Sequence, residues 1–157
     1  MFGIGGNWDD VTDNALFDPG TVMQDKNGKV YKYVQFFDGT SNSDGIAGRA
    51  VCYSSPTGAV NHWVTMDYSD APVSVVGAGI LQAAVANDQY CWVQIRGLAT
   101  MSLAVTAGTD GVALTCYGAA LDGALDISSV AWDHKCAVLA NGTTDASNPV
   151  IFCDFPF

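Results

Sequence analysis

Two histidines, five cysteines and one kind of acid are the groups in this sequence that could do chemistry. The histidines are His62 and His134. His134 follows Asp133, but neighbours on a strand point to opposite faces, so the two do not form a base and its orienting acid. Each histidine reads as a structural or surface residue. All sixteen acidic residues are Asp. Two carboxylates a few ångströms apart can hydrolyse a glycoside, but these Asp residues are spread through turn-like contexts and no pair stands out. No calcium-loop pattern of the D-x-[DN]-x-[DN]-G kind occurs, so at most a weak divalent-ion contact is expected. The cysteines are Cys52, Cys91, Cys116, Cys136 and Cys153, with no C-x-x-C among them. Zinc needs closely spaced ligand pairs, and His134-Lys135-Cys136 is the only one. The odd count, in a chain beginning at Met with no basic leader, argues against a secreted disulfide framework. Buried free thiols acting as small hydrophobes are expected instead. No catalytic, cofactor-binding or metal-ligating residue is assigned, and no cofactor is expected.

Nucleotide chemistry is no better supported. Gly77-Ala78-Gly79-Ile80-Leu81-Gln82 begins like a dinucleotide fingerprint but has Gln82 where the third glycine belongs. It reads as a glycine-softened strand bend. Gly39-Thr40-Ser41-Asn42-Ser43 fails at the last position of a G-x-S-x-G elbow and reads as a loop. Asn141-Gly142-Thr143 matches a glycosylation sequon, yet reads better as a turn.

The elements that would carry these residues follow from composition. The chain has 157 residues and a net charge of −10, with only 14% charged and 49% hydrophobic residues. It has no Glu and only six basic residues, Lys26, Lys29, Lys32, Arg49, Arg96 and Lys135. Surface helices normally draw on Glu, Lys and Arg, so a helical bundle is disfavoured. Nucleic acid is excluded as a partner for want of a basic stripe. A membrane is excluded because the longest apolar stretch, Val73–Ala86, is interrupted by Ser74, Gly77, Gly79 and Gln82 and is too short to span. A chain with so little charge for its apolar content should bury some surface against other subunits.

Turn dipeptides recur at Asn27-Gly28, Asp38-Gly39, Asp44-Gly45, Asp110-Gly111, Asp122-Gly123 and Asn141-Gly142. Such pairs favour the tight turns between antiparallel strands. Strands are predicted over 29–37, 47–54, 61–68, 73–86, 89–96, 100–106, 112–117, 135–140 and 149–154. In the first of these, Val30, Lys32, Val34 and Phe36 face one way, and Tyr31, Tyr33, Gln35 and Phe37 the other. Residues 80–86 (ILQAAVA) suit a helix or a strand, and the glycine-rich lead-in favours the strand. The fold expected is all-β, an antiparallel sandwich or barrel over 21–157, with an extended arm over 1–20. Trp63 and Trp92 lie in apolar strand patterns and should be core or interface residues. Trp8 and Trp132 lie beside Asp in turn-like sequence and should be exposed, where an aromatic ring can stack on a sugar.

Two stretches carry a resemblance. The first is Phe17-Asp18-Pro19-Gly20-Thr21-Val22 with Asn27-Gly28-Lys29-Val30-Tyr31-Lys32-Tyr33-Val34-Gln35. The second is Gln89-Tyr90-Cys91-Trp92-Val93-Gln94-Ile95-Arg96-Gly97, preceded by Ala83-Ala84 and followed by Leu98-Ala99-Thr100. Together they resemble small head proteins of tailed bacteriophages, in particular capsid decoration (cement) proteins. Cys91 stands where glycine is usual. The resemblance implies a β-rich, non-enzymatic virion protein on the capsid exterior. It implies a homotrimer that bridges subunits of the major capsid protein and stabilises the shell. Interface contacts are then expected from Phe2, Trp8 and Phe17 in the arm and from Phe155 and Phe157 in the apolar tail. Two alternatives stay open: a receptor- or glycan-binding module of a phage fibre or tail, and a small β-fold hydrolase using paired Asp residues.

Overall fold

The structure, a computed structural model, describes residues 7–39, 43–54, 58–70, 76–105, 109–116, 121–141 and 148–156. Phe2, Phe157, Gly142 and Thr143 lie outside them, as do 73–75, Thr106 and Tyr117 of the predicted strands. The fold is all-β. Its strands are β1 (Val22–Gln24), β2 (Val30–Phe37), β3 (Ala50–Tyr53), β4 (Trp63–Thr65), β5 (Gly77–Leu81), β6 (Tyr90–Thr100), β7 (Ala113–Thr115), β8 (Asp126–Ile127), β9 (Lys135–Asn141) and β10 (Val150–Asp154). A short α-helix, α1 (Gly58–Asn61), precedes β4, and a 3-10 turn over Tyr68–Asp70 follows it. No helix among the described residues is long and apolar enough to cross a membrane.

Five strands close a barrel in the order β2-β4-β3-β5-β6, with β2 pairing back onto β6. Closure removes the unpaired edges that an open sheet presents. The β2–β4 pair is parallel, whereas an antiparallel arrangement was expected throughout. The reason is topological: β4 returns antiparallel to β3 and slots between β3 and β2.

Strand β6 belongs to two structures. Tyr90–Arg96 pairs with β2 inside the barrel, while Arg96–Thr100 pairs with β10. From there β10, β9, β7 and β8 extend a second, antiparallel sheet. The sequence reading divided this strand at Gly97, which sits at φ +91°. Glycine tolerates that conformation, so the strand bends there without ending. Residues 82–86 are not helical; Val85 forms an isolated bridge with Gly45.

The alternation read from β2 sorts its side chains into two clusters. Val34 and Phe36 enter the main core with Val51, Val64, Ile80, Val93 and Ile95. Tyr31 and Tyr33 join Trp92 in a second cluster on the outside of the barrel. The main core continues under the second sheet through Leu114, Leu125, Leu139, Ile151 and Phe155.

Acidic residues serve the turns. Between β1 and β2, the Asp25 carboxylate accepts hydrogen bonds from the backbone N–H groups of Asn27 (2.8 Å) and Lys29 (2.9 Å). Gly28 completes that turn at φ +82°. Asp67 accepts from the Ser69 N–H and hydroxyl, and Asp133 from the N–H groups of Ser129 and Val130. A short carboxylate suits this role, because it reaches backbone donors two to four residues away. Asp44-Gly45 is different. Gly45 has no positive φ; a Cβ there would fall 2.6 Å from Val85 Cγ1, so the glycine permits a close approach rather than a turn.

Candidate functional site

The candidate site is the outer face of the β2–β6 pair and its continuation along β6. On the barrel half, Tyr31 and Tyr33 from β2 flank Trp92 from β6, all three nearly inaccessible. They are covered by the chain's own N-terminal segment. Thr12 pairs with Tyr90 through two backbone hydrogen bonds of 3.1 and 2.8 Å. That pairing sets Trp8 flat against Tyr31, with ring centroids 4.1 Å apart and 9° between planes, and edge-on to Trp92 at 5.2 Å. Phe17 packs edge-on to Tyr33 at 5.4 Å and tilts against Trp92 at the same distance. Such offset and edge contacts each add roughly 0.5–1.5 kcal/mol beyond simple burial. The Tyr33 hydroxyl accepts from the Leu16 N–H (3.2 Å) and shares a hydrogen bond with the Thr12 hydroxyl (3.1 Å). Burial, with the Asp25 and Cys153 charges behind it, pushes the Tyr31 phenol up to about 12.

Trp8 is therefore half-buried in a stack, not exposed as its sequence context suggested. Trp132 is exposed as expected, at 73%. Trp92 is core-like, and Trp63 is half-buried beside Phe37. Among the residues singled out as interface contacts, Trp8 and Phe17 come together on this face. Phe155 lies in the main core instead. It packs across Gly77, where a Cβ would fall 2.8 Å from its ring.

Further along β6 the outer face is bare. Phe152 of β10 stands opposite Leu98 of β6 on one side and Val138 of β9 on the other. All three are exposed, at 50%, 50% and 40%. One step along, Arg96 and Asp154 form an exposed ion pair at 3.3 Å. Beside them a cleft of about 300 Å³ is lined by Arg96, His134, Lys135, Asp154 and Phe155. The sequence reading missed this row. β9 and β10 read as nearly unbroken apolar runs, and only strand register shows that the three residues meet on an exposed face.

The titratable groups within the barrel lie elsewhere. Lys32 is buried, and its Nζ donates to the Tyr53 hydroxyl at 2.7 Å while lying 5.2 Å from that ring. Burial lowers the Lys32 ammonium and raises the Tyr53 phenol. His62, at φ +57°, is lowered by burial and then by the Lys32 charge; its Nδ1 is buried without a hydrogen-bond partner. His134 lines the cleft instead, and Asp133 beside it is occupied with backbone donors. The five thiols are free and buried. Burial pushes Cys91 and Cys153 up to about 12. Cys136 is raised first by its hydrogen bond with Cys116 and then by burial. Thiols held in the protonated form are poor nucleophiles.

No family model and no curated protein matches this chain. One solved structure is similar, the N base of the head fiber gp8.5 of bacteriophage phi29. The likeness covers 80% of this chain and 94% of that one, with a TM-score of 0.47 and 11% identity.

Proposed function

We propose that this chain is a non-enzymatic structural protein of a bacteriophage virion. It decorates the capsid exterior as a homotrimer and stabilises the shell by bridging subunits of the major capsid protein. The observation that carries this reading is the meeting of the two stretches that resemble phage head proteins. They are far apart in sequence, yet they form the adjacent strands β2 and β6, paired from Val30↔Arg96 to Gln35↔Tyr90. Phe17, from the start of the first stretch, seals the pair by packing on Tyr33 and Trp92. The resemblance thus falls on one continuous surface unit and not on scattered residues. The composition agrees, since a surface with few charges suits a subunit covered by neighbours. Several weak contacts made together hold such a protein on a lattice. The net charge of −10 favours an exterior position, away from packaged DNA.

The test is co-sedimentation of the purified chain with heads of the phage that encodes it. Saturable binding at regular sites on the shell is expected. Binding to host polysaccharide with none to heads overturns the reading in favour of a glycan-binding fibre or tail module, for which Trp132, 73% exposed, is the stacking candidate. Deleting 1–18 is an unsuitable control, because it strips the cover from Tyr31, Tyr33 and Trp92. Substitutions of exposed arm residues leave that cover in place.

A further inference from the structure

We infer that the bare row Leu98–Phe152–Val138 is the seat of a second copy of this chain, which docks its acidic segment Asp9–Asp18 there. This deepens the homotrimer reading and rests on it.

The row is a continuous apolar strip. Strand register places Leu98, Phe152 and Val138 side by side and adds Ala113 of β7 next to Val138. At about 4.8 Å per strand spacing the strip is roughly 14 Å long. Half-exposed Leu, Phe and Val in one row are not the singly scattered apolar residues of an ordinary surface.

Charge selects the occupant. Two copies of a chain with net charge −10 repel one another over most of their surfaces. Only three of the six basic residues are exposed, Lys26, Arg96 and Lys135, and two of them border this row. Asp154 takes one side of Arg96, which leaves Lys135 as the excess positive charge beside the cleft. The complementary piece is on the same molecule. Residues 9–18 carry four exposed Asp residues (Asp9, Asp10, Asp13 and Asp18) and no Lys or Arg. They also carry Leu16, which is 62% exposed. Leu16 would lie on the apolar row while the flanking Asp residues meet Lys135.

A molecule's own segment does not make this contact. It is pinned near Trp92 by the Thr12–Tyr90 pairing and the Trp8 stack. Trp92 and Leu98 are six residues apart on β6, about 20 Å. The contact is therefore between copies and head to tail, and such contacts close into a ring when the rotation between copies permits.

The experiment measures mass in solution against concentration for the full chain and three variants. The wild type is expected to sediment as a trimer. Phe152→Asp should raise the dissociation constant about a hundredfold. The triple variant D9K/D18K/K135D reverses both sides at once. It should assemble near wild-type strength, while Lys135→Asp alone weakens assembly about tenfold. All the altered side chains are exposed, and thermal melts at low concentration confirm that each variant folds. A trimer indifferent to every variant overturns this surface and leaves the trimer reading standing. A dimer broken by Phe152→Asp and Lys135→Asp and restored in the triple variant keeps the surface and overturns the trimer. A monomeric wild type at high micromolar concentration overturns the inference.

Discussion

The two halves of the β6 outer face are made from similar material and treated differently. Around Trp92 the aromatic side chains are covered by Trp8 and Phe17 from the same chain. Around Leu98 the apolar side chains of three strands stand in solvent. Apolar area is stabilising only when water is removed from it. The covered half therefore contributes fully to the stability of the isolated chain, and the exposed part of the bare half contributes nothing until something docks. The difference separates what the chain does for its own fold from what it offers to a partner.

The largest effect expected is from Trp92→Ala. It removes a nearly inaccessible ring that touches Trp8, Phe17 and Tyr33. Loss of a large buried aromatic typically costs about 3–5 kcal/mol. Denaturant unfolding should show a loss of that size. A cost below about 1 kcal/mol would mean that the cover is loosely held, and the contrast between the halves would fail.

Much of this contrast was legible before the structure. The alternation in β2 placed Tyr31 and Tyr33 opposite Val34 and Phe36, and the two sets do enter separate clusters. The paired Asp-Gly and Asn-Gly signals marked real turns at Gly28, Gly111 and Gly123, all with positive φ. Trp8 was misread because its neighbours Asp9 and Asp10 are exposed, and local polarity said nothing of a stack made with Tyr31 across the chain. The bare row was illegible for the same reason. Leu98, Val138 and Phe152 are each unremarkable in sequence, and they become a surface only through the pairings of β10 with β9 and with the distant β6. The parallel β2–β4 pair was also hidden, since turn signals report reversals and not which strand is inserted between two others.

A middle effect is expected from Trp8→Ala. Its two ring contacts, at about 0.5–1.5 kcal/mol each, set a loss of about 1–3 kcal/mol. The same change should be visible in the phenol beneath it. The Tyr31 pKa is raised to about 12, chiefly by burial, so its neutral form is favoured in the fold. The stability this contributes is complete below pH 10 and is lost as pH rises toward 12. Uncovering the ring should bring the phenol back toward 10 and shrink that alkaline loss, because the folded and unfolded phenols then titrate nearly together. Ultraviolet titration of the phenolate reads the shift directly. An unmoved titration would assign the raised value to Asp25 and Cys153 and not to the cover.

The smallest effect on the isolated chain should come from Phe152→Ser. Its side chain is half in water, and surface changes of this kind stay within about 0.5 kcal/mol. At low concentration the melting temperature should barely move. At high concentration the wild type gains stability from association and the variant does not, because binding to the folded state alone raises apparent stability by mass action. The separation between the two melts should therefore grow with protein concentration, while that between the wild type and Trp92→Ala reflects the fold itself and persists on dilution. A large loss for Phe152→Ser in dilute solution would show that the row supports its own sheet, and the bare half would then be no different in kind from the covered one.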